Sequence, residues 1–299
     1  MRHFFVIAIC SIIVLFAAFW IVTQPSAVPA DALPSYSADV SNGEMVFNAG
    51  GCAACHAGNG GPRTSLGGGL AIRSPFGTFY APNISPDPND GIGKWSEANF
   101  VTAVTKGTSP SGQHYFPAFP YNSYQKAKVD DVRDLFAYLK TLPPVAGKAP
   151  AHDVKFPFNI RRLVGGWKFL FLDGQPFIPD PKQTPQWNRG AYLVNALGHC
   201  AECHSPRNAL GGIVAAQRFA GGPDFEDGGW VPNITQKGLR DTPEAELADF
   251  LKNGELMVGG SMVPVIQNLA RLSDADRLAI AAYLKSLPPV DGPPRPKKS

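Results

Sequence analysis

The chain has 299 residues, among them 31 glycines and 29 prolines, one position in five, and only 17% of it is charged. That composition excludes a regular helical bundle or a doubly wound sheet, while 44% hydrophobic and 11% aromatic residues suffice for a core and exclude disorder. The net charge of +3 arises from 27 basic and 24 acidic residues with no large block of one sign, so no nucleic-acid partner is expected.

Arg2 and His3 precede an apolar run from Phe4 to Val22 in which Ser11 is the one polar residue. A bilayer-spanning helix needs about 20 apolar residues, whereas a cleaved signal has an apolar core of about 7–15. Residues 1–35 therefore read as a signal anchor with its positive end inside and Trp20 at the interface. The small residues Ala30-Asp31-Ala32 keep a cleaved signal peptide as the alternative. Under either reading the remainder is exported. Cys10 lies inside the run, where a thiol behaves as a small hydrophobe, and this leaves four exported cysteines in two pairs.

Those pairs read Cys52-Ala53-Ala54-Cys55-His56 and Cys200-Ala201-Glu202-Cys203-His204. CxxCH is the attachment signature of c-type haem: on one helical turn two thiols reach the two vinyl groups of a porphyrin, and the adjacent histidine faces the iron. A disulfide or a redox CxxC does not need the histidine, and a zinc site lacks its H-x-H partner in both copies. The cofactors expected are two covalently bound haem c groups, with His56 and His204 as proximal iron ligands.

The repetition extends beyond the motif. Pro82-Asn83-Ile84-Ser85 recurs as Pro232-Asn233-Ile234-Thr235, and YLKTLPPV at 138–145 recurs as YLKSLPPV at 283–290. The offsets are 148 between cysteines, 150 between asparagines and 145 between tyrosines, which marks a duplicated domain. The Asn-Ile-Ser/Thr triplets match a glycosylation sequon, but their recurrence favours a structural role such as hydrogen bonding near a buried haem edge.

Each half offers three short helices. The first should run from Asn42 to Ala54 and again from Arg189 to Ala201. The second should run from Ser96 to Lys106, with a counterpart capped by Thr242, opened by Pro243 and ended at Asn253-Gly254. The last carries the stripe Val132, Leu135, Phe136 and Leu139 in one half, and in the other follows a Ser273/Asp276 capping pair with Leu278, Ala281 and Leu284. No alternating run is long enough for a sheet, so the fold class is mainly α with long loops. The boundaries expected are 1–35, a first haem domain 36–147, a connection 148–186, a second domain 187–291 and a basic tail 292–299. The connection is rich in proline and aromatics, and reads either as a linker packed over both domains or as a docking surface for a partner subunit.

A thioether is the usual sixth ligand of an electron-transfer haem. The exported methionines are Met45, Met257 and Met262. Met262, in a loop before the last helix and 58 residues after His204, is assigned to the second haem, with Met257 as its competitor. The first half has no methionine in the corresponding loop, Gln113 to Tyr121. His114, also 58 residues after His56, is one candidate there, and an open or water-bound iron is the other.

These motifs resemble the multihaem cytochrome c subunits of membrane-bound bacterial alcohol, aldehyde and gluconate dehydrogenases. The resemblance rests on Gly43-Glu44 before CxxCH, Pro75-Phe76-Gly77-Thr78, the stretch from Pro82 to Pro88, Trp95-Ser96, Phe116 to Tyr124, Trp187 to Val194, Gly198-His199-Cys200 and Pro206-Arg207-Asn208. It implies two tandem class I-type cytochrome c domains that relay electrons from a catalytic dehydrogenase subunit to a membrane quinone, a cytochrome or a terminal oxidase, on the periplasmic side of the bacterial inner membrane. Two departures stand out: the family usually carries three CxxCH motifs, and its distal methionine in a YPAMPY-like loop is Phe119 here. A two-haem partner of a molybdenum-containing dehydrogenase fits this pattern. The rival class is a dihaem oxidoreductase or peroxidase with an open first haem, and a small-ligand sensor is a third.

Overall fold

A computed structural model describes residues 1–58, 61–226 and 228–295, so the end of the expected basic tail lies outside the described residues. Helix α1 (Arg2–Val22) projects from the body, touching it at its C-terminal end, with none of its residues buried. The first half contains α2 (Val40–Ala49), α3 (Cys52–His56), strands β1 (Ala71–Ser74) and β2 (Gly77–Tyr80), then α4 (Glu97–Lys106), α5 (Tyr121–Tyr124) and α6 (Val129–Thr141). The connection holds β3 (Asp153–Val154) and α7 (Arg161–Phe171). The second half has α8 (Pro185–Tyr192), hairpin strands β4 (Gly222–Pro223) and β5 (Trp230–Val231), a single turn α9 (Gln236–Leu239), then α10 (Glu244–Asn253), α11 (Met262–Leu269) and α12 (Asp274–Ser286).

Each half is built on one close helix crossing. In the first, α2 crosses α6 at Gly43, where a Cβ would lie 2.7 Å from the carbonyl carbon of Asp134. In the second, α8 crosses α12 at Gly190, where a Cβ would lie 2.5 Å from the carbonyl carbon of Ala279. Only glycine lets the two backbones approach this closely. The stripe on α6 is buried as its spacing requires. On α12 the crossing at Ala279 turns the helix so that Ala279, Ile280, Ala281 and Leu284 face inward, and Leu278, expected in the stripe, lies outside.

The spacing from the crossing glycine to the first cysteine is nine residues in one half and ten in the other. The extra residue is absorbed in the second half as a π-helical turn, Leu193–Leu197, between α8 and the attachment motif. The expected single helices into each motif are also broken. Gly51 (φ 63°) and His199 (φ 40°) adopt left-handed conformations just before Cys52 and Cys200. The chain thereby turns a corner before presenting its cysteines, on α3 in one half and on a short 3-10 turn in the other.

Ser96 caps α4 in a full capping box with Asn99, and the Ser273 side chain accepts from the Asp276 amide at the start of α12. The cap expected at Thr242 falls instead on Pro243, with no side-chain bond, because Thr242 closes the preceding turn on Leu239. Contrary to the sheet-free expectation, β1, β2 and β3 form a small antiparallel sheet. Strands of two to four residues carry no legible alternation, and β3 arrives from the connection between the halves. One hydrophobic cluster runs from Val46 and Phe47 through Val194 and Leu197 to Ile280 and Leu284, so the two halves share a core.

Candidate functional site

The two attachment histidines are held alike. Nδ1 of His56 lies 2.7 Å from the Pro82 carbonyl, and Nδ1 of His204 lies 2.8 Å from the Pro232 carbonyl. A carbonyl can only accept, so Nδ1 carries the proton in both rings and Nε2 keeps its lone pair. Burial lowers both histidine pKa values, although the carbonyl bonds oppose the shift. Each ring is thus a neutral imidazole, fixed in the tautomer an axial ligand needs.

The repeated landmarks prove to be one device. Asn83 Nδ2 donates to the carbonyl of Val145 at 2.7 Å, and the Val145 amide donates to Ser85 Oγ at 3.0 Å. In the other half Asn233 Nδ2 donates to Val290 O at 2.8 Å, and Val290 N donates to Thr235 Oγ1 at 3.2 Å. The Pro-Asn-Ile segment is therefore stapled to the Pro-Pro-Val segment behind the last helix, and the prolines whose carbonyls grip the histidines sit at the head of each staple. The sequon asparagines serve this bonding, the structural role their recurrence suggested.

The thiols fit haem attachment better than the rival chemistries. All four are free of disulfides. Burial pushes Cys52 and Cys200 up to about 12 and Cys55 up to about 11, so these three are thiols at neutral pH. A thiolate metal centre would want the opposite shift, and among the described residues no cluster of three His, Cys, Asp or Glu side chains could hold a metal ion. Two thiols and one neutral imidazole on a single turn, repeated, match a covalently attached porphyrin.

The two attachment turns face each other. Tyr124 Oη donates to Gly50 O at 2.8 Å, and the same carbonyl lies 3.3 Å from His199 Nε2. The Tyr124 and His199 rings meet edge to face with centroids 5.5 Å apart. The crossover is reciprocal: α5 of the first half packs on the π turn of the second, and α11 of the second packs on α2 and α3 of the first. Glu202, inside the second motif, accepts from Asn122 Nδ2 at 2.7 Å and Ser123 Oγ at 2.9 Å across the interface, and pairs with Arg207 at 2.7 Å. Arg63 and Arg218 also hold matching positions, donating to Asn48 Oδ1 at 2.6 Å and to Asn195 Oδ1 at 3.1 Å. Sequence reasoning missed these partners because the carbonyls of Pro82 and Pro232 have no side-chain signature; the recurring Pro-Asn pair was the one available signal.

The distal candidates separate clearly. Met262 opens α11, a helix where a loop was expected, and is half-buried against the shared core. Met257 is 71% exposed. Met45 contacts Arg189 across the interface, Nη2 to Sδ at 3.4 Å. His114 is 3% exposed; its Nε2 donates to Thr23 O at 2.9 Å, fastening the end of α1, while its buried Nδ1 has no hydrogen-bond partner among the described residues and keeps a lone pair. Phe119 lies in an aromatic group with Tyr115, Tyr121 and Tyr124 and offers no lone pair.

Comparison with known proteins agrees with this geometry. Residues 40–143 match the family model described as cytochrome c, and residues 185–284 match that described as cytochrome c oxidase, cbb3-type, subunit III. A diheme cytochrome c-type protein of Cereibacter sphaeroides is 44% identical over 282 residues, 92% of this chain and 94% of that protein. This chain belongs to the dihaem c-type cytochromes. It carries two covalently bound c-type haems in two cytochrome c domains and serves electron transfer.

Other relatives are longer. A nicotinate dehydrogenase subunit from Pseudomonas putida is 44% identical over 84% of this chain and 21% of its own length. The fructose dehydrogenase cytochrome subunit of Gluconobacter japonicus is 37% identical over 89% of this chain and 56% of its own. The dihaem cytochrome therefore spans about half, or less, of the dehydrogenase subunits it matches.

Proposed function

We propose that this dihaem cytochrome takes electrons from the catalytic subunit of a membrane-associated dehydrogenase and passes them to a quinone, cytochrome or terminal oxidase at the periplasmic face of a bacterial inner membrane. The observation that carries this reading is the shared interface of the attachment turns, which brings the two haem-attachment motifs together over one core. Cys52, Cys55 and His56 would hold the first haem, and Cys200, Cys203 and His204 the second, with Met262 as the second iron's sixth ligand. When bound, each haem supplies a one-electron carrier. The chain's own residues do the rest. The Pro82 and Pro232 carbonyls fix the imidazole tautomers, the Asn83 and Asn233 staples hold those carbonyls, and Glu202 with Tyr124 and His199 keeps the two domains in register. Helix α1 is retained as the anchor, because Thr23 at its end is 1% exposed and bonded into the body.

The relatives' names suggest donors that oxidise hydroxyl compounds or a nitrogen heterocycle. Isolation of the full chain from native membranes with its bound partner tests this reading. Addition of the partner's substrate should reduce both haems, and a quinone analogue or the membrane's oxidase should reoxidise them. A preparation in which no dehydrogenase accompanies the chain and no membrane acceptor oxidises it would refute the relay.

A second reading is kept by one observation. Phe119 has no ligating atom and Nε2 of His114 is bonded to Thr23, which supports an open first iron and a dihaem oxidoreductase or peroxidase, with the unpartnered Nδ1 of His114 as the competing ligand. Carbon monoxide binding at one haem per chain, together with turnover of peroxide, would support it. Two inert low-spin haems would remove it.

A further inference from the structure

Helix α1 is 21 residues long, about 31 Å at 1.5 Å per residue, which matches a hydrocarbon layer of about 30 Å and leaves no spare length to hold the body away from the bilayer. The next residue is already part of the body. Thr23 Oγ1 accepts from Arg162 Nε at 2.8 Å, and Thr23 O accepts from His114. The Arg162 guanidinium lies 4.0 Å from the centre of the Trp20 ring and also bonds the Trp20 carbonyl. Arg162 is the second residue of α7. The start of α7 is thus fixed at the level where α1 leaves the hydrocarbon.

The surface presented there is apolar. Phe156 is 78% exposed, Phe169 70%, Leu170 60% and Leu163 40%, on α7 and the segment leading into it. The opposite side of α7 is packed, with Val164 and Gly165 buried and Lys168 Nζ donating to the carbonyls of Lys106 and Gly107 at 2.6 and 2.7 Å. From Lys155 to Leu172 the sequence has no carboxylate and four basic residues, of which Lys155 and Arg162 are not on the packed side that holds Arg161 and Lys168. Exposed aromatics and leucines on one face, cations without anions, and a bolt to a spanning helix describe a helix lying in the headgroup layer of an anionic membrane.

We propose that α7 and residues 156–160 form a second membrane contact, an in-plane interfacial helix that sets the cytochrome body against the lipid surface. This rests on the reading that α1 spans the bilayer. With a flexible tether the body could tumble. With the bolt and the in-plane helix it presents one fixed side to the lipid.

Spin labels placed one at a time on the full-length holoprotein, in a Cys10→Ala background and in vesicles of phosphatidylethanolamine and phosphatidylglycerol, test the proposal. The sites are Phe169→Cys and Leu170→Cys on α7, Phe16→Cys within α1, and Glu246→Cys on the exposed side of α10. Oxygen should relax the α7 labels more than a water-soluble nickel chelate does, at a depth of about 5–10 Å, between the Phe16 and Glu246 values. Nickel access at both α7 sites equal to that at Glu246, with Phe16 still lipid-like, would overturn the in-plane helix and leave the span intact. Nickel access at Phe16 would show that the span itself is wrong. Labels on α7 shielded from both reagents would mean that another protein covers this face, which also overturns the proposal.

Discussion

Replacement of Asn83 by alanine removes three hydrogen bonds: those of Nδ2 to Val145 O (2.7 Å) and Gly147 O (2.9 Å), and that of the Ser85 amide to Oδ1 (2.9 Å). Each is worth about 1 kcal/mol net; Asn83 is buried and Val145 half-buried, whereas the carbonyl of exposed Gly147 can turn to water. We expect a loss of about 2–4 kcal/mol in denaturant unfolding of the holoprotein. Asn233→Ala also deletes three bonds, but two come from the neighbouring Thr235 and the site is half-buried, so about 1–2 kcal/mol is expected. The second readout is local. Freeing Pro82 weakens the bond that makes His56 a more basic ligand, so a less basic imidazole stabilises ferric iron less and the first haem's potential should rise. The second haem's potential should stay fixed in Asn83→Ala, and the pattern should reverse in Asn233→Ala. Potentiometric titration resolves the two. Equal losses in the two variants, or a stability loss with neither potential moved, would refute the coupling from asparagine through proline carbonyl to histidine.

Three further outcomes follow from the same structure. Gly43→Ala drives a Cβ into the Asp134 carbonyl and should cost about 1–3 kcal/mol in thermal unfolding, whereas Gly166→Ala, with open space at its Cβ, should be neutral or slightly stabilising. Glu202→Ala leaves Arg207 unpaired and two donors across the domain interface without an acceptor. It should cost about 2–3 kcal/mol and broaden unfolding into two steps, and a single unchanged transition would count against the latch. Burial, with Lys168 and Arg162 nearby, lowers the His114 pKa below its ordinary value of about 6.5. The unfolded chain then binds the proton more readily, so the stability His114 contributes is complete above about pH 6.5 and is lost as pH falls through the lower folded value. The acid limb of the melting-temperature profile should flatten in His114→Gln, and an identical limb would exclude His114 as its source.

The covalent signal, the duplication and the apolar run were legible from residues alone, because CxxCH is local chemistry and a repeat offset survives without knowledge of contacts. The capping serine of α4 and the stripe on α6 were legible for the same reason: both are set within a few turns. Tertiary structure decided what depends on partners distant in sequence. It turned Leu278 outward through the approach at Gly190, spent an inserted residue in a π turn, and drew His114, an iron-ligand candidate by spacing, onto Thr23. It also joined Asn83 to Val145 and Asn233 to Val290, so that two unconnected repeats became one clamp on each histidine. Backbone carbonyls and close helix crossings have no residue code of their own, which is why a sequence can name the ligands of a haem while only the fold shows what holds them in place.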